Sequence, residues 1–175
     1  MKYALTYGLL SGLVIIGVLL TGILLGGHQS IFSSMWFGYL VMLVALTFIF
    51  VGVKRYRDVE RGGVIKFGPA LAIGLGIAVV AGLAYVVVWE AYLAMTHYMF
   101  MDHYIAGIRH AREAEGVSGA ALAREMADLE KMRVQYANPL YRIPMTFLEI
   151  FPVGLIVALV SAALLRNPRL LPAAR

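Results

Sequence analysis

No cysteine occurs among the 175 residues, which excludes disulfides, thiolate metal sites, haem attachment and cysteine nucleophiles. Charge is scarce as well: Asp, Glu, Lys and Arg together make 14% of the chain, against about 25% in an ordinary soluble domain. No basic stripe alternates with aromatics, so nucleic acid is not an expected partner. No paired acid and base, and no serine or histidine placed for nucleophilic attack, can be found, so no catalytic residue and no enzyme activity are expected. What fills the chain instead is apolar: 61% of residues are hydrophobic, and the mean hydropathy is +0.81. One small globule cannot hide that much apolar surface. A soluble enzyme, a disordered chain and a coiled coil are thereby excluded, and the bilayer becomes the expected solvent.

A hydrocarbon core about 30 Å thick needs roughly 20 apolar residues in helix, because no water is there to satisfy the backbone. Ala4 to Gly26, Ile31 to Val53 and Phe67 to Trp89 meet that test without a single charge, and Ile143 to Leu165 meets it with one, Glu149. The first run is too long for a signal-peptide core and lacks a small-x-small cleavage site, so it reads as a retained span. Gly27-His28-Gln29-Ser30 is a tight turn between the first two spans. The short loop KRYRDVERGGVIK carries a Gly62-Gly63 turn signal, and Pro69 follows where a first-turn proline is tolerated. Orientation follows from the bases. Nine of them (Lys2, Lys54, Arg55, Arg57, Arg61, Lys66, Arg166, Arg169 and Arg175) share one side with only Asp58 and Glu60. On the other side six bases are matched by six acids. Positive-inside bias then puts both termini and the KRYRD loop in the cytoplasm.

The run from Phe67 to Met101 is longer than a bilayer can cover, so the third helix is expected to continue outward to about Glu113. Gly116 and Ser118 then mark a stop and a new start. Leu122, Met126, Leu129, Met132 and Tyr136 fall on one face of a second amphipathic helix, which Asn138-Pro139 ends. The reading is one membrane domain, 1–175, with a helical hairpin at 102–140 inserted outside the membrane. Leu122, Met126 and Leu129 either cap the bundle or dock a partner protein; capping is the simpler expectation. The fold class is therefore all-α: a four-helix transmembrane bundle with an extracytoplasmic amphipathic hairpin between spans 3 and 4.

The stretches GYLVMLVALTFIFVGVKRYRD, GGVIKFGPALAIG, FMDHY and YANPLYRIPMTFLEIFPVGLIVALVSAALL occur here in that order. Together they resemble the small bacterial inner-membrane family catalogued as a domain of unknown function, number 4199. The likeness extends from about Tyr7 to Leu165, and KRYRD and NPLYRIPMTFLEIFPVGL are its specific parts. It implies four spans with a helical extracytoplasmic insertion in the inner membrane of a bacterium, and it carries no activity.

Few residues offer chemistry. Glu149 lies 16 residues above Leu165, about 24 Å up the helix, in the outer part of the span. A lone carboxylate there should face other helices, paired or protonated. Thr21, Trp36 and Tyr85 stand at a similar height and are its expected hydrogen-bond partners. A structural anchor and an ion or proton site are both open, with the anchor preferred because polar contacts between spans commonly act as glue. Glu90 stands near the outer end of the third span with His97 two turns later. A hydrated polar cluster is expected there rather than a metal, since no facing Glu-x-x-His pairs exist. No metal and no cofactor is expected. Lys54, Arg55 and Arg57 are candidates for anionic lipid headgroups, although positive-inside bias alone explains them. Glycines at small-xxx-small spacing (Gly8 and Gly12, Gly22 and Gly26, Gly74, Ala78 and Gly82) suit close helix approach, within the bundle or in a homo-oligomer. The bilayer, a second copy and another membrane protein are thus the candidate partners. The leading functional reading is a non-enzymatic structural or accessory protein. The alternative is a small transporter or lipid-binding protein with an outer-leaflet pocket around Glu149 and Glu90.

Overall fold

The computed structural model describes the backbone of residues 1–25 and 35–173, with side chains absent from the description at 19, 22–25, 35 and 36. The turn expected at Gly27 to Ser30, Gly26 and the Trp36 side chain lie outside the described residues. Within them all regular structure is helical: α1 Lys2–Leu25, α2 Met35–Glu60, α3 Phe67–Met95, α4 Phe100–Ala114, α5 Gly119–Ala137 and α6 Pro139–Leu165. Three are long and apolar enough to cross a membrane: α2 over Phe37–Glu60, α3, and α6. In α1 a shorter apolar stretch, Lys2–Val18, is seen. The chain divides into two compact units, Met1–Val87 with Phe147–Arg175, and Val88–Thr146.

In the first unit small residues bring helices together. A Cβ placed on Gly8 would lie 2.5 Å from the Val80 Cβ, and one on Gly12 would lie 2.8 Å from the Ala84 Cβ, so α1 rests directly on α3. On another side of α3, a Cβ on Gly74 would meet Ala158 at 2.9 Å, and one on Gly154 would meet Ala78 at 2.9 Å. Gly82 leaves room for the Phe147 ring. The spacings that suited either a bundle or a homo-oligomer are therefore spent inside this chain at Gly8, Gly12, Gly74 and Gly82. Such contacts gain dispersion energy that bulkier residues would forfeit. Ser11 adds a polar tie, donating to the Ala45 carbonyl of α2 at 3.1 Å.

One end of this unit is clasped by polar side chains. Lys2 pairs with Glu60 at 2.7 Å, and the Tyr3 hydroxyl donates to the same carboxylate at 3.0 Å. Arg57, fully buried, donates from Nε to Asp58 at 2.7 Å and from Nη1 to the Leu170 carbonyl at 3.0 Å. Its Nη2 donates to the Leu171 carbonyl. The start of α1, the end of α2 and the tail after α6 thus lie at one end. Gly62 and Gly63, at φ of 60° and 86°, close α2, the Gly63 N–H donating to the Arg57 carbonyl at 3.0 Å. That left-handed turn is the one the Gly-Gly pair was read to make.

In the second unit the structure departs from expectation. The third helix does not run on to Glu113 but stops at Met95, and α4 starts afresh at Phe100. His97 and Tyr98 adopt left-handed φ of 52° and 58°. The Tyr98 N–H reaches back to the Leu93 carbonyl at 2.7 Å, the long closing bond of a helix terminus. Glycine ordinarily takes this conformation, and its absence is why the sequence showed no stop here. The α4–α5 turn follows expectation: Gly116 is left-handed at φ 81°, and Ser118 occupies the N-cap position, though without a capping bond. Arg112 joins the two helices, donating to Glu125 at 2.9 Å while also holding Glu115 at 3.0 Å. Asn138 ends α5 and its side chain accepts from the Leu140 N–H at 3.0 Å, starting α6. Helix α6 begins at Pro139 rather than Ile143 and runs unbroken through Pro144 and Pro152. The compact unit is wider than the expected 102–140 insertion at both ends.

Candidate functional site

Among the described residues, the best-formed polar site lies in the Val88–Thr146 unit, where Glu90 near the end of α3 meets Arg142 in the first turns of α6. Arg142 donates from Nε and Nη2 to the two oxygens of Glu90, each at 2.7 Å. A planar guanidinium matches a carboxylate in this two-pronged way, which fixes direction as well as distance. Nη1 donates to the Tyr136 carbonyl at 3.0 Å, and the guanidinium lies over the Tyr98 ring, 5.1 Å from its centroid, and the Tyr136 ring at 5.7 Å. Arg142 is 4% exposed. A cation this buried is tolerable only because nearly all its donors are used and two aromatic faces cover it.

Aromatic side chains complete the frame. The Trp89 indole N–H donates to the Tyr136 hydroxyl at 2.7 Å. Its ring stacks on Tyr92 at 5.3 Å and meets the Phe100 ring edge-on at 5.0 Å. Beside the ion pair opens a cavity of ≈ 510 Å³, with Leu93, Phe100 and Met101 among its apolar walls and Asp102 and Arg133 among its polar ones. Arg133 pairs with Glu130 at 2.6 Å and stands 3.6 Å from Asp102. Its hydrogen bonds hold the Glu130 carboxyl below the usual carboxylate range. His97 and Tyr98 also line the cavity, and both are held at left-handed φ without glycine. Backbone strain of that kind costs about 1–3 kcal/mol per residue and gathers where a wall must be placed rather than merely packed.

Glu90 and His97 do line one cavity, but the partner of Glu90 is Arg142, which sequence reasoning had counted only among the bases of the outer connection. A usable signal existed: an isolated acid and an isolated base each terminate an apolar run, and neither is affordable alone.

The other predicted residues fall elsewhere. Glu149 is in the first unit, hydrogen-bonded with Tyr85, whose side chain is buried. Yet Glu149 itself is exposed on the flank of α6. Thr21 is turned back on its own helix, donating to the Gly17 carbonyl at 2.7 Å. Glu90 belongs to the Val88–Thr146 unit and Glu149 to the other. Of the three basic residues at KRYRD, Arg57 is buried and engaged with Asp58 and the tail, and Lys54 holds Asp58 at 2.6 Å. Arg55 is the exposed one. Leu122, Met126 and Leu129 are half-buried in a helix that packs on α4.

Among the described residues, six helices, three of them long and apolar enough to cross a membrane, with a part-buried arginine–glutamate pair beside an aromatic cavity, define an all-helical protein of membrane type. The chain belongs to the family described as "Protein of unknown function (DUF4199)", whose model matches residues 3–167. No curated protein and no solved structure matches the chain.

Proposed function

We propose that this is a four-span integral protein of the bacterial inner membrane that works by binding and not by catalysis. Its binding part is the cavity of the Val88–Thr146 unit. In this reading α1, 24 residues long and thus about 36 Å from end to end, is the fourth span of a helical bundle. The bases at Lys2, Lys54, Arg55, Arg57 and Lys66 keep both termini and the short loop in the cytoplasm. The Val88–Thr146 unit then stands on the outer side.

One observation carries the proposal: a cavity of ≈ 510 Å³ built around an ion pair that is already complete. That volume lies within the roughly 300–1,000 Å³ of small-molecule sites, which are mostly apolar with a few fixed polar groups. Apolar walls at Leu93, Phe100 and Met101, with Asp102, His97 and Arg133 at hand, suit an amphipathic molecule with an acyl or similar tail and a polar head. A lipid of the outer leaflet is the natural source. On the cytoplasmic side, Arg55 remains the open candidate for an anionic headgroup. Half-burial of Leu122, Met126 and Leu129 in a helix packed on α4 leaves less of that stripe for a docking partner.

The test is purification in native lipid particles with mass spectrometry of what stays bound. Ala137→Trp puts a large ring into the cavity wall and leaves the Glu90–Arg142 pair in place. A lipid species retained by the natural protein and lost from Ala137→Trp supports the reading; identical lipids in both overturn it. Because cysteine is absent, Lys66→Cys and Ser118→Cys report sidedness directly. Ser118→Cys should react with an impermeant maleimide on intact cells and Lys66→Cys only after permeabilisation.

A further inference from the structure

On α6, Leu148, Pro152, Ile156, Leu159 and Val160 recur at helical spacing and are all exposed. Glu149, beside Leu148 at one end of that stripe, is exposed with them. The helix is one of the three long and apolar enough to span a membrane, and Glu149 stands about 24 Å above Leu165 along it. The stripe is therefore a surface for acyl chains, and it contains a carboxyl group. Tyr85 reaches the carboxyl from α3, and among the described residues no charged side chain acts on it. This is unlike Glu90, whose charge is matched by Arg142 at 2.7 Å. An ionised carboxylate without a cation is strongly disfavoured in hydrocarbon, and the common remedy is a proton.

We propose that Glu149 is a proton-binding site on the lipid-facing surface of α6, its carboxyl carried as the neutral acid with Tyr85 as its hydrogen-bond partner. The ligand is a proton, and the site is separate from the cavity of the Val88–Thr146 unit. It stands or falls independently of the binding function proposed there.

Hydrophobic carbodiimides find such groups. The acid gives its proton to one carbodiimide nitrogen, the carboxylate oxygen bonds to the central carbon, and the adduct rearranges to a stable N-acylurea with no group lost. The full-length protein, in bilayers of phosphatidylethanolamine and phosphatidylglycerol, is treated with dicyclohexylcarbodiimide or with a water-soluble carbodiimide, and peptides are mapped by mass spectrometry. The expected result is an adduct at Glu149 with the hydrophobic reagent and little with the soluble one. The adduct is lost in Glu149→Gln, which keeps the shape and should keep the helical circular dichroism. No adduct at Glu149, or equal adducts from both reagents, overturns the proposal. So does protection in native membranes that detergent relieves, since another chain would then cover the stripe.

Discussion

Where Met1–Val87 and Phe147–Arg175 come together, helices touch over glycine and alanine; within Val88–Thr146 they are joined by rings, an arginine and a glutamate. Gly8, Gly12, Gly74 and Gly154 each leave a gap into which a neighbouring Val80, Ala84, Ala158 or Ala78 fits. Those contacts are short and unspecific in chemistry: what they ask is the lack of a side chain at the crossing, and the result is a tight framework. Arg142 cannot be replaced so freely. It answers a carboxylate, two main-chain carbonyls and two aromatic faces at once. The first arrangement fixes distance, the second fixes direction, and the ≈ 510 Å³ cavity stands beside the second.

The contrast can be broken most severely at Arg142. Arg142→Ala leaves Glu90 without its cation and should cost about 3 kcal/mol, because the remaining charge stays partly buried. Hydrogen exchange should show residues 88–146 opening while the glycine crossings of α1 on α3 stay protected. Equal loosening of both units would mean that the difference between them is not energetic.

A smaller effect is expected at the crossings. Gly8→Ala places a methyl group 2.5 Å from the Val80 Cβ and should cost about 2 kcal/mol by overpacking. Gly17→Ala, with nothing within 4 Å of its new carbon, should cost nothing and gain up to about 1 kcal/mol of helix propensity. Thermal unfolding in detergent of the two variants side by side checks the pair. Similar midpoints would show that close approach is not what holds α1 to α3.

The smallest effect belongs to the exposed ion pairs of the hairpin. The Glu130 carboxyl titrates below its ordinary value because Arg133 donates to it. Its contribution is therefore complete above the usual carboxylate range and fades as pH falls through the depressed value. Acidification or added salt should slightly increase hydrogen exchange in α5. Arg133→Gln should remove that sensitivity, and a response as large as that of Arg142→Ala would contradict the ranking.

Much of the framework was legible because its signals are local. Long uncharged runs mark the apolar helices, Gly62-Gly63 and Gly116 mark reversals, and Asn138-Pro139 marks the passage from α5 to α6. The stop at Met95 was not legible, for His97 and Tyr98 hold a conformation that glycine would have announced. Arg142 looked like one more base in a balanced loop. Its role depends on Glu90, 52 residues away, and no periodicity links positions so far apart. Glu149 stood out at once as a charge in an apolar run, yet its outward position could not be read, since helical spacing relates residues on one helix and not that helix to its neighbours.

The sequence by itself determined the solvent and the elements. Hydropathy over about 20 residues is a property of composition, and turn residues act on their own backbone. Tertiary structure decided which faces met: that glycines of α1 and α6 were spent on α3, that Arg142 closed on Glu90, and that Glu149 was left on the outside. Those outcomes depend on the register and rotation of one helix against another, which are set by the summed fit of many distant side chains and not by any one stretch of chain.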